Sequence, residues 1–188
     1  MDRVVVPVVL GLAVGVAFIV LFSTFTVGGS KTICGQSIES VKENAPFIIL
    51  LPTKLPEGYS LQSVVYVPNV YVNMQYFIRS LCDPNNPYSP EEGVIEIVEA
   101  SFGKESDAKS GQEYVQREMS RFQSNNINAT SYTFQDGRMH AIGYWDETYL
   151  KARLVVVDDK TGTLVAINAR SLDTPLEQLA MVAESLKE

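Results

Sequence analysis

The chain has 188 residues, 46% of them hydrophobic and 20% charged, a composition that folds rather than one that stays disordered. Its formal net charge of −7 at pH 7 argues against nucleic acid and other polyanions as partners. The length left after an N-terminal apolar run allows one soluble domain with a sizeable core and argues against a second.

Val4 to Phe25 carries no charge, and only Pro7, Ser23 and Thr24 interrupt its apolar and glycine residues. At about 1.5 Å per residue, a helix of this length crosses the roughly 30 Å hydrocarbon core of a bilayer. The run is apolar on every face and ends at the breaker pair Gly28-Gly29, whereas a helix of a soluble domain would be amphipathic or shorter. Residues 1–30 are therefore expected to form a cytosolic stub and transmembrane anchor in contact with the lipid bilayer through residues 4–25. Residues 31–188 are expected to form a domain outside the cytoplasm. Val27 and Gly29 would also suit a signal peptidase, but the run exceeds a normal signal-peptide core, which favours an uncleaved signal anchor. Arg3 before the helix and Lys31 after it nearly balance, so the orientation rests on the brevity of the N-terminal tail. Gly11 and Gly15 form a Gly-x-x-x-Gly pattern, a transmembrane packing candidate for a homodimer or a membrane protein partner, although small residues are common in such helices. Cys34 and Cys82 are a disulfide candidate suited to an oxidising compartment. Two unpaired thiols remain the alternative. Ile33 before Cys34 disfavours lipid attachment there.

In the soluble part, Ile38, Val41 and Ala45 at helical spacing predict a short helix over Ser37 to Asn44, stopped by Pro46. Phe47 to Leu51 and the Pro52 and Pro56 turns lead to strands at Leu61 to Val67 and Val70 to Arg79, joined at Pro68-Asn69. Asp83 to Pro90 reads as a surface loop, and Val94 to Phe102 as the next strand. Ser110 with Glu113 forms a capping box for a helix whose Val115, Met119 and Phe122 share one face. Strands follow at Asn128 to Phe134, Arg138 to Trp145, Leu150 to Val157 and Thr163 to Ala169, with Asp136-Gly137 as a two-residue turn signal. Thr174, Pro175 and Glu177 suggest a capping box with proline at the first helical position, opening a last helix with Leu176, Leu179, Ala180, Ala183 and Leu186 on its apolar face. Strands in runs with helices between them predict an α+β fold, an antiparallel sheet with helices packed on one face.

Leu55-Pro56-Glu57-Gly58-Tyr59 resembles the opening of an uncharacterised extracytoplasmic domain family seen in anti-sigma-factor-like proteins and sporulation lipoproteins. The aromatic pair Tyr144-Trp145 on a strand and the closing Ala183-Glu184-Ser185-Leu186 are similar to that family's end. The loop from Pro84 to Pro90 and the helix after Ser110 depart from it. The resemblance implies a membrane-tethered sensing or binding module without known catalysis, and it brings no functional residues.

Candidate sites are sparse. His140 is the only histidine, on the strand face of Ile142 and Tyr144, with no nucleophile motif beside it, and a structural role is the plainer expectation. Two distant cysteines and one histidine fall short of a zinc site, and no metal or cofactor is expected. Glu96 and Glu99 could each be a carboxylate held against apolar neighbours with a raised pKa. They fall on opposite strand faces, and exposed strand glutamates are the simpler expectation. Asp158, Asp159 and Gly162 lack calcium-loop spacing and mark a turn. Asn128-Ala129-Thr130 is a sequon of a kind frequent by chance. Aromatic residues are numerous, and on a sheet face left uncovered Tyr71, Phe77, Tyr144 and Trp145 would be ligand or partner contact candidates for a peptide, lipid or glycan. The leading expectation is thus a membrane-anchored extracytoplasmic binding or sensing module without catalysis. Its rivals are a structural or accessory subunit of a membrane complex and a membrane-tethered hydrolase using an acidic residue.

Overall fold

The computed structural model describes residues 35–77, 93–146, 151–169 and 174–188. The anchor run 4–25, Gly11, Gly15, Cys34 and Cys82 lie outside them. Among the described residues no helix is long and apolar enough to cross a membrane. Residues 32–188 group into one compact unit.

The elements in chain order are α1 (Ile38–Asn44), β1 (Leu51–Pro52), β2 (Ser60–Val67), β3 (Tyr71–Phe77), β4 (Ile95–Ser101), α2 (Phe102–Glu105), α3 (Gly111–Ser124), β5 (Ala129–Phe134), β6 (Met139–Asp146), β7 (Lys151–Asp158), β8 (Thr163–Ala169), α4 (Leu176–Glu184) and β9 (Leu186–Lys187). Seven strands form one antiparallel sheet in the order β2-β3-β4-β8-β7-β6-β5, and β1 pairs with β9 in a small second sheet. The fold is therefore α+β with an antiparallel sheet, as the alternation of strand and helix signals predicts.

Helices cover both faces of the sheet, which corrects the expected one-sided arrangement. Leu179, Val182 and Ala183 of α4 and Val41 of α1 pack with Val72, Met74, Ile97, Leu154, Val156 and Ile167 on the first face. On the second face, Val115 and Phe122 of α3 meet Ile142, while Phe102 and Ala108 meet Val157 and Leu164. The reason is visible in β4, where Ile95 to Ala100 are all buried, as happens when a strand is covered on both sides.

Local signals explain most boundaries. The Ser37 side chain accepts the Ser40 N–H, and the Ser110 side chain accepts the Glu113 N–H at 3.2 Å. Glu113 Oε2 in turn accepts the Lys109 N–H at 2.9 Å, so two free donors of the helix start are satisfied. Asn69, at φ 60°, turns the chain from β2 into β3.

Two expectations shift. Asp136-Gly137 is not a two-residue turn, because Phe134 pairs with Met139 and leaves a longer connection that forms a 3-10 turn over Gln135–Gly137. Pro175 caps the last helix instead of opening it, with no side-chain cap bond, and Leu186 leaves the helix to pair with Pro52.

Candidate functional site

Strand register brings polar residues of five strands into one row on the second face. Gln75 pairs with Glu96, Glu96 with Asn168, Asn168 with Arg153, and Arg153 with Tyr144. Asn73, two residues from Gln75 on the same face of β3, donates from Nδ2 to Glu96 Oε1 at 2.9 Å, and Asn168 Nδ2 points at Glu96 Oε2 from 3.4 Å. Glu96 and Asn168 are only 7% and 3% exposed, so this carboxylate is gripped by two carboxamides away from bulk water. The expectation of exposed strand glutamates fails here, since Glu96 is buried in the sheet.

The row is incompletely satisfied. Among the described residues, Asn73 Oδ1, Asn168 Oδ1 and Arg153 Nε are buried side-chain atoms with no hydrogen-bond partner. Arg153 Nη1 lies 3.6 Å from Asp146 Oδ2, and its guanidinium carbon stands 5.9 Å from the Tyr144 ring centroid. Phe77, Ile95, Asp146, Lys151 and Ala169 end their strands on the side of the sheet where the row runs.

The four aromatic candidates are not brought together. Tyr71 is half-buried on the second face, where burial and the charge of Glu96 push its phenol pKa up. Phe77 is fully buried. Tyr144 lies against Phe122 of α3, ring centroids 4.6 Å apart, and its phenol is raised chiefly by burial. Four strand spacings of about 4.8 Å separate β3 from β6. Trp145 points to the first face and packs against the main core. Helix α3 thus occupies the surface on which Tyr144 would have met a ligand.

Glu99, on the first face, has no exposed surface. Its Oε2 accepts the Leu50 N–H at 3.0 Å, while Oε1 has no partner. Burial drives its pKa well above the ordinary carboxylate value, against a small opposing pull from the Leu50 N–H and the Lys42 charge. Glu96 and Glu99 face opposite sides of the sheet, so they form no carboxylate pair. Near the end of the sheet away from the polar row, Lys42, Phe47, Ile48, Ser101, Thr161 and Glu188 border an open cleft of about 670 Å³.

The remaining candidates hold the fold. Asp158 accepts Arg138 Nε at 2.8 Å, the Lys160 N–H at 3.0 Å and the Thr161 hydroxyl at 2.9 Å, which fixes the turn into β8 that the Asp158-Asp159 and Gly162 pattern predicts. Burial acts to raise its pKa, but these donors outweigh it and hold the carboxyl low. His140 Nε2 lies 3.6 Å from Asp159 Oδ2, and Asp159 Oδ1 accepts the Gly111 N–H that opens α3. Among the described residues no cluster of His, Cys, Asp or Glu is placed to hold a metal ion.

Sequence reasoning missed Asn168 and Arg153. Their signal was present as the lone polar residue in the apolar run Leu164 to Ala169 and the lone cation in Ala152 to Val157, two interruptions that register aligns. Comparison with protein-family models, curated proteins and solved structures finds no match to this chain.

Proposed function

We propose that the chain is a membrane-anchored extracytoplasmic module that binds or senses a ligand without catalysing a reaction, and that Asn73, Glu96, Asn168 and Arg153 form its contact. The observation that carries this reading is the set of buried polar atoms without partners gathered in one cross-strand row. Each such atom costs roughly 1–3 kcal/mol when left unsatisfied, which favours a polar partner for the three. A bound polar molecule would supply the missing partners. The charge-free run Val4 to Phe25 supports the anchor, and the resemblance at Leu55 to Tyr59 and Ala183 to Leu186 supports the same class of module.

The test is a thermal-unfolding screen of the full-length protein in detergent against small polar compounds, repeated with Asn168→Leu. At least one compound should raise the wild-type melting temperature and leave the variant unmoved. A chain that responds to none, yet leaves native membranes with fixed protein partners, is a complex subunit instead.

A further inference from the structure

The two edge strands of the large sheet, β2 and β5, are finished differently. Along β2, the Gln36 N–H donates to the Val64 carbonyl at 3.0 Å, and Gln36 Oε1 accepts the Tyr66 N–H at 3.1 Å. Gly35 passes so close that a Cβ there would stand 1.8 Å from the Val64 carbonyl oxygen. The β2 register also shifts between Leu61 and Ser63, so this edge is both covered and irregular. Strand β5 has neither device. It pairs with β6 without a register shift from Ala129 to Phe134, and among the described residues no backbone group on its outer side pairs with it. Its sequence, Ala-Thr-Ser-Tyr-Thr-Phe, holds no lysine, proline or other residue that ordinarily blunts an edge.

We infer that β5 is the surface on which a second copy of this chain docks, β5 against β5 in antiparallel order about a two-fold axis. A row of free N–H and C=O groups selects an extended strand as its occupant, and charge selects which strand. The chain carries a net charge of −7, yet Thr130, Ser131 and Thr133, the exposed side chains of β5, are neutral. A copy therefore meets no like charge along the seam and gains Thr and Ser cross-strand pairs, whereas β5 has no charge with which to recruit a basic or acidic partner. Residues directly opposite in an antiparallel pair share a face, so the stacked rings of Tyr132 and Phe134, with centroids 5.8 Å apart, continue into those of the copy. The connection 78–92 cannot supply the strand instead. Crossing from β3 to the outside of β5 and back to β4 covers about eleven strand spacings, roughly 50 Å, which consumes nearly all of its extended reach. An anchor at residues 4–25 would hold both copies in one membrane plane and raise their effective concentration.

The experiment is sedimentation equilibrium of the full-length protein in density-matched detergent, with hydrogen exchange of residues 129–134 followed across the same concentrations. A monomer–dimer equilibrium is expected, with the β5 amides exchanging more slowly in the dimer. Ser131→Lys and Thr133→Lys each bring two like charges to the seam and should weaken association at least about tenfold, with the circular dichroism spectrum unchanged. If either variant fails to fold, the exchange of wild-type β5 decides. A monomer at every concentration overturns the inference. So does a dimer that leaves β5 exchange unchanged or that both folded variants preserve, because its contact then lies elsewhere, the anchor included. Protection of β5 only when a different chain co-purifies overturns the assignment to a second copy.

Discussion

Glu96 and Glu99 share a strand and meet different environments. Glu96 faces two carboxamide donors, whereas Glu99 faces one N–H and an apolar core. A carboxyl whose folded pKa is raised contributes stability that is fully present below its unfolded pKa and is lost as pH rises through the folded value. Over that interval the loss runs at about 1.4 kcal/mol per pH unit. Glu99→Gln keeps an oxygen for the Leu50 N–H and removes the titration. Its chemical unfolding should match wild type near pH 4 and show a stability gain that grows toward neutral pH, and a gain that does not change with pH would contradict the assignment. Asp158 behaves oppositely. Its pKa is held low, so its contribution is present above the ordinary carboxylate pKa and is lost as pH falls through the folded value. Arg138→Ala strands that buried carboxylate and should cost about 3 kcal/mol in urea unfolding at pH 7.

At the scale of elements, Gly143 on β6 shows how closely α4 seats on the first face. A Cβ there would stand 3.1 Å from Leu154 Cδ1 and from the Tyr132 ring, and 3.3 Å from Leu176 Cδ2. Gly143→Val should lower stability by about 2 kcal/mol through overpacking, measurable as an earlier thermal midpoint. Helix starts and strands were legible because their causes are local: Ser37 and Ser110 cap the helices they precede, and β3 alternates Val72, Met74 and Tyr76 against Asn73 and Gln75. The two-residue turn at Asp136 failed for a non-local reason. Gln135, at φ 50°, donates its side-chain amide to the Glu184 and Leu186 carbonyls across the molecule. The row at Glu96 was illegible for the same reason. Its members come from β3, β4, β8 and β7, and only the pairing of distant strands aligns them, while the coverage of the second face depends on where α3 lands.

Across the whole molecule, the sheet has two sides and two ends lined by different residues. The first face and the ion-paired turn at Arg138 and Asp158 hold the fold, while the polar row occupies the end opposite that turn. An anchor at residues 4–25 predicts that the full chain resists alkaline extraction from its membranes and that a chain beginning at Lys31 is released. If the row stays polar for a ligand and not for folding, equilibrium unfolding of ligand-free protein should scarcely separate wild type from Asn168→Leu. Leucine fills a similar volume and removes an orphan acceptor, but it also takes one long hydrogen bond from the buried Glu96 carboxylate, so the variant should lose at most about 1 kcal/mol while losing ligand-induced stabilisation. A loss of about 2 kcal/mol or more would show the row to be a structural hydrogen-bond network and not a ligand site.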